Sequence, residues 1–122
     1  MILFSCTVLG TPVPQGRIRV PRWGKPYYPA RSKAHRALLV AAFSAAWKQP
    51  AINEPVRVSI HLYGAPVNSD LDNHAKQIMD ALQEAGVLES DDVRVVRYLF
   101  VENHEARRKD RRTTVEVTKA WN

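Results

Sequence analysis

Two aspartates and a lysine stand close together near the middle of the chain, in the stretch SDLDNHAK. Asp70 and Asp72 are two residues apart at the start of a predicted helix, and Lys76 follows one turn after Asp72. Mg²⁺ binds through one or two carboxylates and leaves its other positions to water and phosphate oxygens. A nearby lysine can stabilise negative charge that develops on a phosphate group. This spacing is therefore compatible with metal-assisted phosphodiester chemistry.

Ordinary helix capping explains the same aspartates without any chemistry. Ser69 and Asp72 have the spacing of a capping box, and acidic side chains in a first turn interact favourably with the helix dipole. Lys76 lies four residues from both Asp72 and Asp80, and such surface ion pairs are worth roughly 0.3–0.5 kcal/mol each. On this stretch alone, capping is the simpler interpretation.

A second acidic pair, Asp91 and Asp92, favours the metal site. The pair stands just before a predicted strand, and a short connection would allow it to cluster with Asp70 and Asp72. In a chain of net charge +6, these carboxylates would repel a phosphate unless divalent cations lay between them. Three carboxylates and a lysine suffice for a phosphodiesterase with one metal ion, or with two that lie about 3.5–4 Å apart.

Positive charge is concentrated in the first third of the chain. Eight lysines and arginines precede the first acidic residue, Glu54, and Trp23, Tyr27 and Tyr28 are interleaved with them. Phosphate contacts from such a segment would give salt-dependent affinity for any DNA sequence, and an aromatic ring could stack on an exposed base. A merely solvated loop, with aromatic rings used for packing, is the alternative. The predicted DNA contacts are Arg17, Arg19, Arg22, Lys25, Arg31, Lys33 and Arg36.

Hydrophobic periodicity predicts the elements that must position these residues. Alternating apolar residues predict strands over 1–9, 56–63, 93–101 and 114–119. Apolar residues three or four positions apart predict helices over 32–48 and 70–85, the second followed by Gly86 as a C′ residue. The Pro-rich and Gly-rich segment between the first strand and the first helix carries a predicted short strand over 17–20. The predicted fold is α+β or mixed α/β, with one domain over 1–122, one mixed sheet and two main helices.

Composition excludes several classes of protein. Hydrophobic residues make up 45% of the 122 residues, which is enough for a folded core. The single cysteine, Cys6, cannot form an internal disulfide, and no stretch is apolar enough for a membrane span, so we expect a cytoplasmic protein. No glycine-rich phosphate loop and no cysteine–histidine pattern is present. Metal-ligand spacing is also absent among His35, His61, His74 and His104.

The aspartate stretch and the residues after it resemble the signature of the RusA-type Holliday junction resolvases. These are small endodeoxyribonucleases that phages and prophages often carry. The resemblance covers residues 70–96 and extends to the chain length and the order of elements. It differs at Ser69, where the family often has a basic residue. The matching positions are Asp70-Leu71-Asp72-Asn73, Lys76, Asp80-Ala81-Leu82, Gly86 and Asp91-Asp92.

The resemblance implies a Mg²⁺- or Mn²⁺-dependent homodimer that nicks four-way junction DNA at two symmetric points in the cytoplasm of a bacterial host. It implies no small-molecule cofactor and no membrane partner. The implied catalytic residues are Asp70, Asp72, Asp92 and Lys76. The implied metal ligands are the three aspartates, with Asp91 as a further candidate because the acidic pair can be aligned with a one-residue slip.

Two other functions remain open at this point. One is a non-catalytic DNA-binding module whose aspartates only cap a helix. The other is a transferase that uses the D-L-D motif to hold a nucleotide's metal ion, although this leaves the cationic first third of the chain unexplained.

Overall fold

Four strands form the sheet at the centre of the molecule, which a computed structural model describes over residues 1–121. The strands are β1 (Ile2–Leu9), β2 (Val56–Tyr63), β3 (Val96–His104) and β4 (Arg112–Lys119). Their order in the sheet is β1-β4-β2-β3. Strand β4 is antiparallel to both of its neighbours, whereas β2 and β3 are parallel. The predicted single mixed sheet is therefore confirmed.

Two helices, α1 (Ala30–Ala46) and α2 (Leu71–Glu84), cover one face of this sheet. Helix α1 packs against β1 and α2, and α2 also contacts β3. The predicted α+β fold, a single small domain with two main helices, is confirmed. No described helix is both long and apolar enough to cross a membrane. The core between the helices and the sheet includes Phe4, Leu39, Phe43, Val58, Ile60, Ile78, Leu82, Val115 and Val117.

Helix α2 connects the two parallel strands β2 and β3. In such a crossover the helix runs back along the sheet, so α2 begins near the carboxyl ends of these strands. The loop 89–95 lies at the opposite end of the sheet. There a β-bridge pairs Leu88, just before this loop, with Ile52, just before β2. Asp70 and Asp72 therefore lie near one end of the sheet, and the loop with the second acidic pair lies near the other.

The carboxyl end of α2 is fixed by backbone hydrogen bonds around Gly86. This glycine has a positive φ of 79°, which a side chain would disfavour. Its N–H donates to the carbonyl of Gln83 at 3.1 Å, and the N–H of Val87 donates to Leu82 at 2.9 Å. This is the Schellman arrangement expected of a C′ glycine.

The first helix begins earlier than its sequence pattern predicts. Helix α1 begins at Ala30 after Pro29, whereas the sequence pattern predicts a helix over 32–48. The structure buries Ser32 in the first turn instead, where its carbonyl accepts a hydrogen bond from Gln77 Nε2 at 2.8 Å. The contact joins α1 to α2, so tertiary packing sets this helix start.

Strand β3 begins three residues later than predicted. The N–H groups of Val95 and Val96 both donate to the carbonyl of Asp92, at 3.1 and 2.9 Å. These bonds close a turn, so Val93 is exposed in the loop and does not belong to the strand. Sequence alternation cannot reveal such a turn, because Val93 and Val95 continue the apolar pattern.

Candidate active site and DNA surface

A groove of about 700 Å³ runs between α2 and the edge strand β3. Charged side chains at the groove come from three segments. Helix α2 supplies Asp72, Lys76 and Asp80, the loop between α2 and β3 supplies Asp91, and β3 supplies Arg97. Both signs of charge therefore meet in one open cleft over apolar side chains. The apolar lining consists of Leu71, Ala75, Met79, Val96, Leu99 and Val101.

The aspartates at the start of α2 do not form the capping box that the sequence allows. Asp70 is the N-cap residue, but no side chain makes a capping hydrogen bond there. The Ser69 hydroxyl donates to the carbonyl of Pro66 at 2.6 Å instead. The Asp72 carboxylate accepts only a local bond, from the N–H of Asn73 at 3.0 Å. No capping hydrogen bond therefore accounts for these exposed carboxylates, although Asp72 lies in the first turn, where the helix dipole favours negative charge.

His74 fixes the segment that carries Asp70. It is buried, and its Nε2 lies 2.8 Å from Ser69 Oγ. Burial, reinforced by the charge of His35, lowers the pKa of His74 to about 4, so the ring is neutral near pH 7. Because the Ser69 hydroxyl already donates to Pro66, it accepts from the Nε2–H of the neutral imidazole. His74 is therefore a positioning residue beneath the aspartates.

The two aspartates of the second pair have different surroundings. Asp91 is exposed and lines the groove with Asp72 and Lys76. The Asp92 carboxylate binds Arg94 instead, with Nη2 donating to Oδ2 at 2.6 Å and the backbone N–H donating to Oδ1 at 2.9 Å. These hydrogen bonds hold the pKa of the Asp92 carboxyl well below its usual range. Asp92 does not line the groove.

The four predicted aspartates do not form a compact cluster within one chain. Asp72 and Asp91 share the groove, whereas Asp70 borders the adjacent pocket described below. Over residues 1–121, no three of these carboxylates have oxygen atoms that all lie within 4.8 Å of one another. The crossover explains this separation, since it places the start of α2 and the loop before β3 at different ends of the sheet. The short connection after α2 does not bring the two pairs together.

A second groove, of about 390 Å³, joins Asp70 to the positively charged segment over residues 15–36, called the basic segment below. Arg17 and Arg31 line it, and the N–H of Gln15 donates to the carbonyl of Asn73 at 3.1 Å. This bond ties the basic segment to the first turn of α2. Two of the cations that were predicted to bind DNA therefore adjoin Asp70, one of the carboxylates that were predicted to bind metal.

The basic segment projects a small hairpin in place of the predicted strand over 17–20. Arg19 and Tyr27 form an isolated bridge, with N–H to carbonyl distances of 2.6 and 2.9 Å. Trp23 lies near its tip with 84% of its surface exposed, and the Arg22 guanidinium lies 5.9 Å from the ring centroid. Packing within this chain does not use the indole, and Arg17, Arg19, Arg22, Lys25, Arg31 and Lys33 are all exposed.

Arg36 differs from the other predicted DNA contacts because it is bound inside the fold. Its Nε donates to Gln77 Oε1 at 3.0 Å, and its Nη2 lies 3.3 Å from Asp80 Oδ2. Weaker contacts reach Gln15 at 3.4 Å and Glu84 at 3.6 Å. The guanidinium links α1, α2 and the base of the basic segment, so we leave it out of the proposed DNA surface.

The groove is open and acidic with a lysine, and it lies next to a basic surface without acidic residues. These features indicate a class of protein: small mixed-sheet proteins that cut nucleic acid. The model of the family described as endodeoxyribonuclease RusA matches residues 10–118. The chain belongs to this family, which comprises Holliday junction-resolving endonucleases, and it is therefore an endodeoxyribonuclease of this type. Among curated proteins, no sequence match to the chain was found.

Proposed function

We propose that this protein resolves four-way DNA junctions in the cytoplasm of a bacterial host by paired, symmetric, Mg²⁺- or Mn²⁺-dependent nicks. One observation carries the proposal: in a chain of the RusA family, the uncapped carboxylates at the start of α2 adjoin both Lys76 and the basic segment. A phosphate held by that segment would lie next to the acidic groove. A phage or prophage origin fits this activity.

The donor set at the start of α2 fits a hard divalent cation. Asp70 and Asp72 are both exposed, and neither carboxylate is used to cap the helix. Oxygen ligands with water in the remaining positions are what Mg²⁺ and Mn²⁺ prefer. When bound, such an ion supplies Lewis-acid stabilisation of the phosphate and lowers the pKa of water. Asp70 and Asp72 would hold it, and a loop carboxylate would join them only where a second copy of the chain brings its loop to the start of α2.

Asp91 is the better candidate for the loop carboxylate. It already lines the groove, whereas Asp92 would first have to give up its hydrogen bonds with Arg94. Asp92 was the first choice from the family resemblance, and the two assignments make opposite predictions for single substitutions. We propose that Asp91 carries the role and that Asp92 shapes the loop.

Lys76 and the neighbouring arginines would act on the phosphate directly. Lys76 is exposed in the groove one helical turn after Asp72, where its ammonium group would stabilise negative charge on the transition-state oxygens. Arg17 and Arg31 would bind backbone phosphates beside Asp70. Trp23, at the tip of the hairpin, would stack on a base exposed at the centre of the junction.

A homodimer would supply the two active sites that paired nicks require. Strand β3 is an edge strand, and Tyr98, Leu99 and Phe100 are each about half exposed on it. An edge with free backbone groups and large apolar side chains favours association with another copy of the chain. We propose that β3 lies in the dimer interface.

The proposal is tested with a labelled synthetic four-way junction and a linear duplex of the same sequence. Wild type, Asp72→Asn and the control Asp110→Asn would each be incubated with and without Mg²⁺. Asp110 is exposed in the turn between β3 and β4 and lines neither groove. We expect paired nicks in the junction only, dependent on Mg²⁺, lost in Asp72→Asn and kept in Asp110→Asn. Tight junction binding without cleavage in Mg²⁺ or Mn²⁺ would mean a DNA-binding module instead.

A further inference from the structure

We propose that the face of the sheet opposite the helices carries a separate site for a transition-metal ion of the zinc class. Its ligands are His61 from β2 and Glu102 and His104 from β3. Among residues 1–121, this is the only group of three such side chains whose ligand atoms all lie within 4.8 Å of one another. The site takes no part in the proposed chemistry of the aspartates, although Glu102 and His104 lie on the strand that we place in the dimer interface.

Strand register brings these three side chains to one face. His61 is the partner of Glu102, and Tyr63 is the partner of His104, in the parallel pair β2–β3. Ile60 and Leu62 are buried beneath the helices, so the alternation of a strand directs His61 to the other face. The ligands thus lie on adjacent rungs of a hydrogen-bonded ladder, which gives them a rigid base.

The ligand atoms have the separations of a metal site. His61 Nδ1 and His104 Nε2 are 3.1 Å apart, and each lies 3.6 Å from Glu102 Oε2. The corners of that triangle are all about 2.0 Å from its centre, which matches metal–nitrogen and metal–oxygen distances of roughly 2.0–2.2 Å. The two nitrogens now face each other, so both rings would turn slightly to direct their lone pairs at an ion in this position.

The donor chemistry separates this site from the aspartate groove. Two imidazole nitrogens and one carboxylate suit Zn²⁺ and its neighbours among the transition metals, whereas Mg²⁺ prefers oxygen ligands alone. The three side chains are 37%, 61% and 40% exposed, in chain order. An ion bound there would keep at least one position open to solvent. Zn²⁺ and Mg²⁺ would therefore occupy different places on the protein.

Neighbouring rings hold His104 in place. Tyr63 stacks on it at a centroid distance of 4.7 Å, and the Arg112 guanidinium lies 3.8 Å from the centroid of the Tyr63 ring. His61 meets His104 edge to edge, with the two ring centroids 5.4 Å apart. Ring orientation fixed by packing is what preorganises metal ligands. The ion would join the edge strand β3 to β2, so binding is expected to stabilise the folded chain.

The test is Zn²⁺ binding by untagged, chelator-treated protein in an excess of Mg²⁺. We expect titration calorimetry to give one Zn²⁺ per chain and the melting temperature to rise. Glu102→Gln and His104→Gln are each expected to weaken Zn²⁺ binding at least tenfold, while both variants keep Mg²⁺-dependent cleavage. Asp72→Asn is expected to keep Zn²⁺ binding. Because Glu102 is exposed, its substitution leaves the core intact, and circular dichroism of the variants verifies folding.

Three results would overturn this assignment. The first is binding that saturates only at millimolar Zn²⁺, which marks an adventitious ion. The second is stoichiometric binding that survives both substitutions. The third is binding that is lost in Asp72→Asn, which would place the zinc ion in the aspartate groove.

Discussion

The two faces of the sheet hold their metal-binding side chains in opposite ways. On the helix-covered side, the aspartates are distributed along α2 and a loop, and no three of them converge within the described chain. On the open side, His61, Glu102 and His104 already stand at metal-binding distances. Under the proposed mechanism, convergence in a single chain is therefore a poor guide to where catalysis occurs. The dispersed carboxylates adjoin the basic surface that would bind DNA, whereas the converged ligands sit on a rigid ladder.

The largest expected effect is the loss of junction cleavage when an aspartate on the helix-covered face is replaced. Asp72→Asn should lower junction cleavage by a factor of roughly 100–1,000 or more, since it removes a proposed metal ligand next to the scissile phosphate. Junction binding should be unchanged or tighter, because a negative charge near phosphate is lost. Gel-based cleavage and binding assays measure the two quantities separately. Cleavage near the wild-type rate would remove Asp72 from the active site.

The pH dependence of the free energy of unfolding tests whether the folded protein requires a neutral His74. Its pKa of about 4 lies below the ordinary 6.5, so the unfolded chain binds the extra proton between these values. Stability should therefore fall as the pH drops through this window, by about 3 kcal/mol in total. His35, whose pKa burial also lowers, contributes in the same direction. Denaturant unfolding of wild type and His74→Gln measures this. The variant should show a shallower pH dependence, and an unchanged slope would contradict the assignment.

Cleavage rates of variants at the two loop aspartates, Asp91 and Asp92, test which of them acts at the active site. Asp91→Asn should reduce cleavage about tenfold more than Asp92→Asn does, because only Asp91 lines the groove. Initial rates on the same junction at saturating Mg²⁺ provide the comparison. The reverse order would show that the loop rearranges and releases Asp92 from Arg94 when DNA or metal binds.

The smallest expected effect concerns phosphate contacts. Arg17→Ala or Arg31→Ala should weaken junction binding several-fold and reduce the slope of log affinity against log salt by about one. Arg36→Ala should leave that slope unchanged and instead lower the free energy of unfolding, since its guanidinium bonds to Gln77 and Asp80. Salt titrations and denaturant curves on the same three variants test both statements. A salt slope that changes in Arg36→Ala would return this arginine to the DNA surface.

Local patterns in the sequence predicted much of the fold. Alternation located all four strands, helical spacing located both helices, and Gly86 marked the end of the second helix. Boundaries failed where contacts distant in sequence decide them, as at Ser32, whose carbonyl binds Gln77. The internal role of Arg36 was invisible for the same reason.

The histidine cluster shows what sequence spacing cannot reveal. His61 lies more than 40 residues before Glu102 and His104, and only the parallel register of β2 and β3 makes them neighbours. Strand order was not predictable from the sequence, so neither was the cluster. The one available signal was the position of His61 between buried Ile60 and Leu62, which places it on the far face of the strand.

The hairpin near Trp23 has a consequence for how this enzyme can diversify. Two backbone hydrogen bonds between Arg19 and Tyr27 close it at the base, and residues 22–25 are all exposed. Its tip can therefore change in length or composition without moving the helix that carries the aspartates. We expect this tip to act as an exchangeable module, so that recognition of a DNA shape can be altered by grafting while the chemistry stays the same.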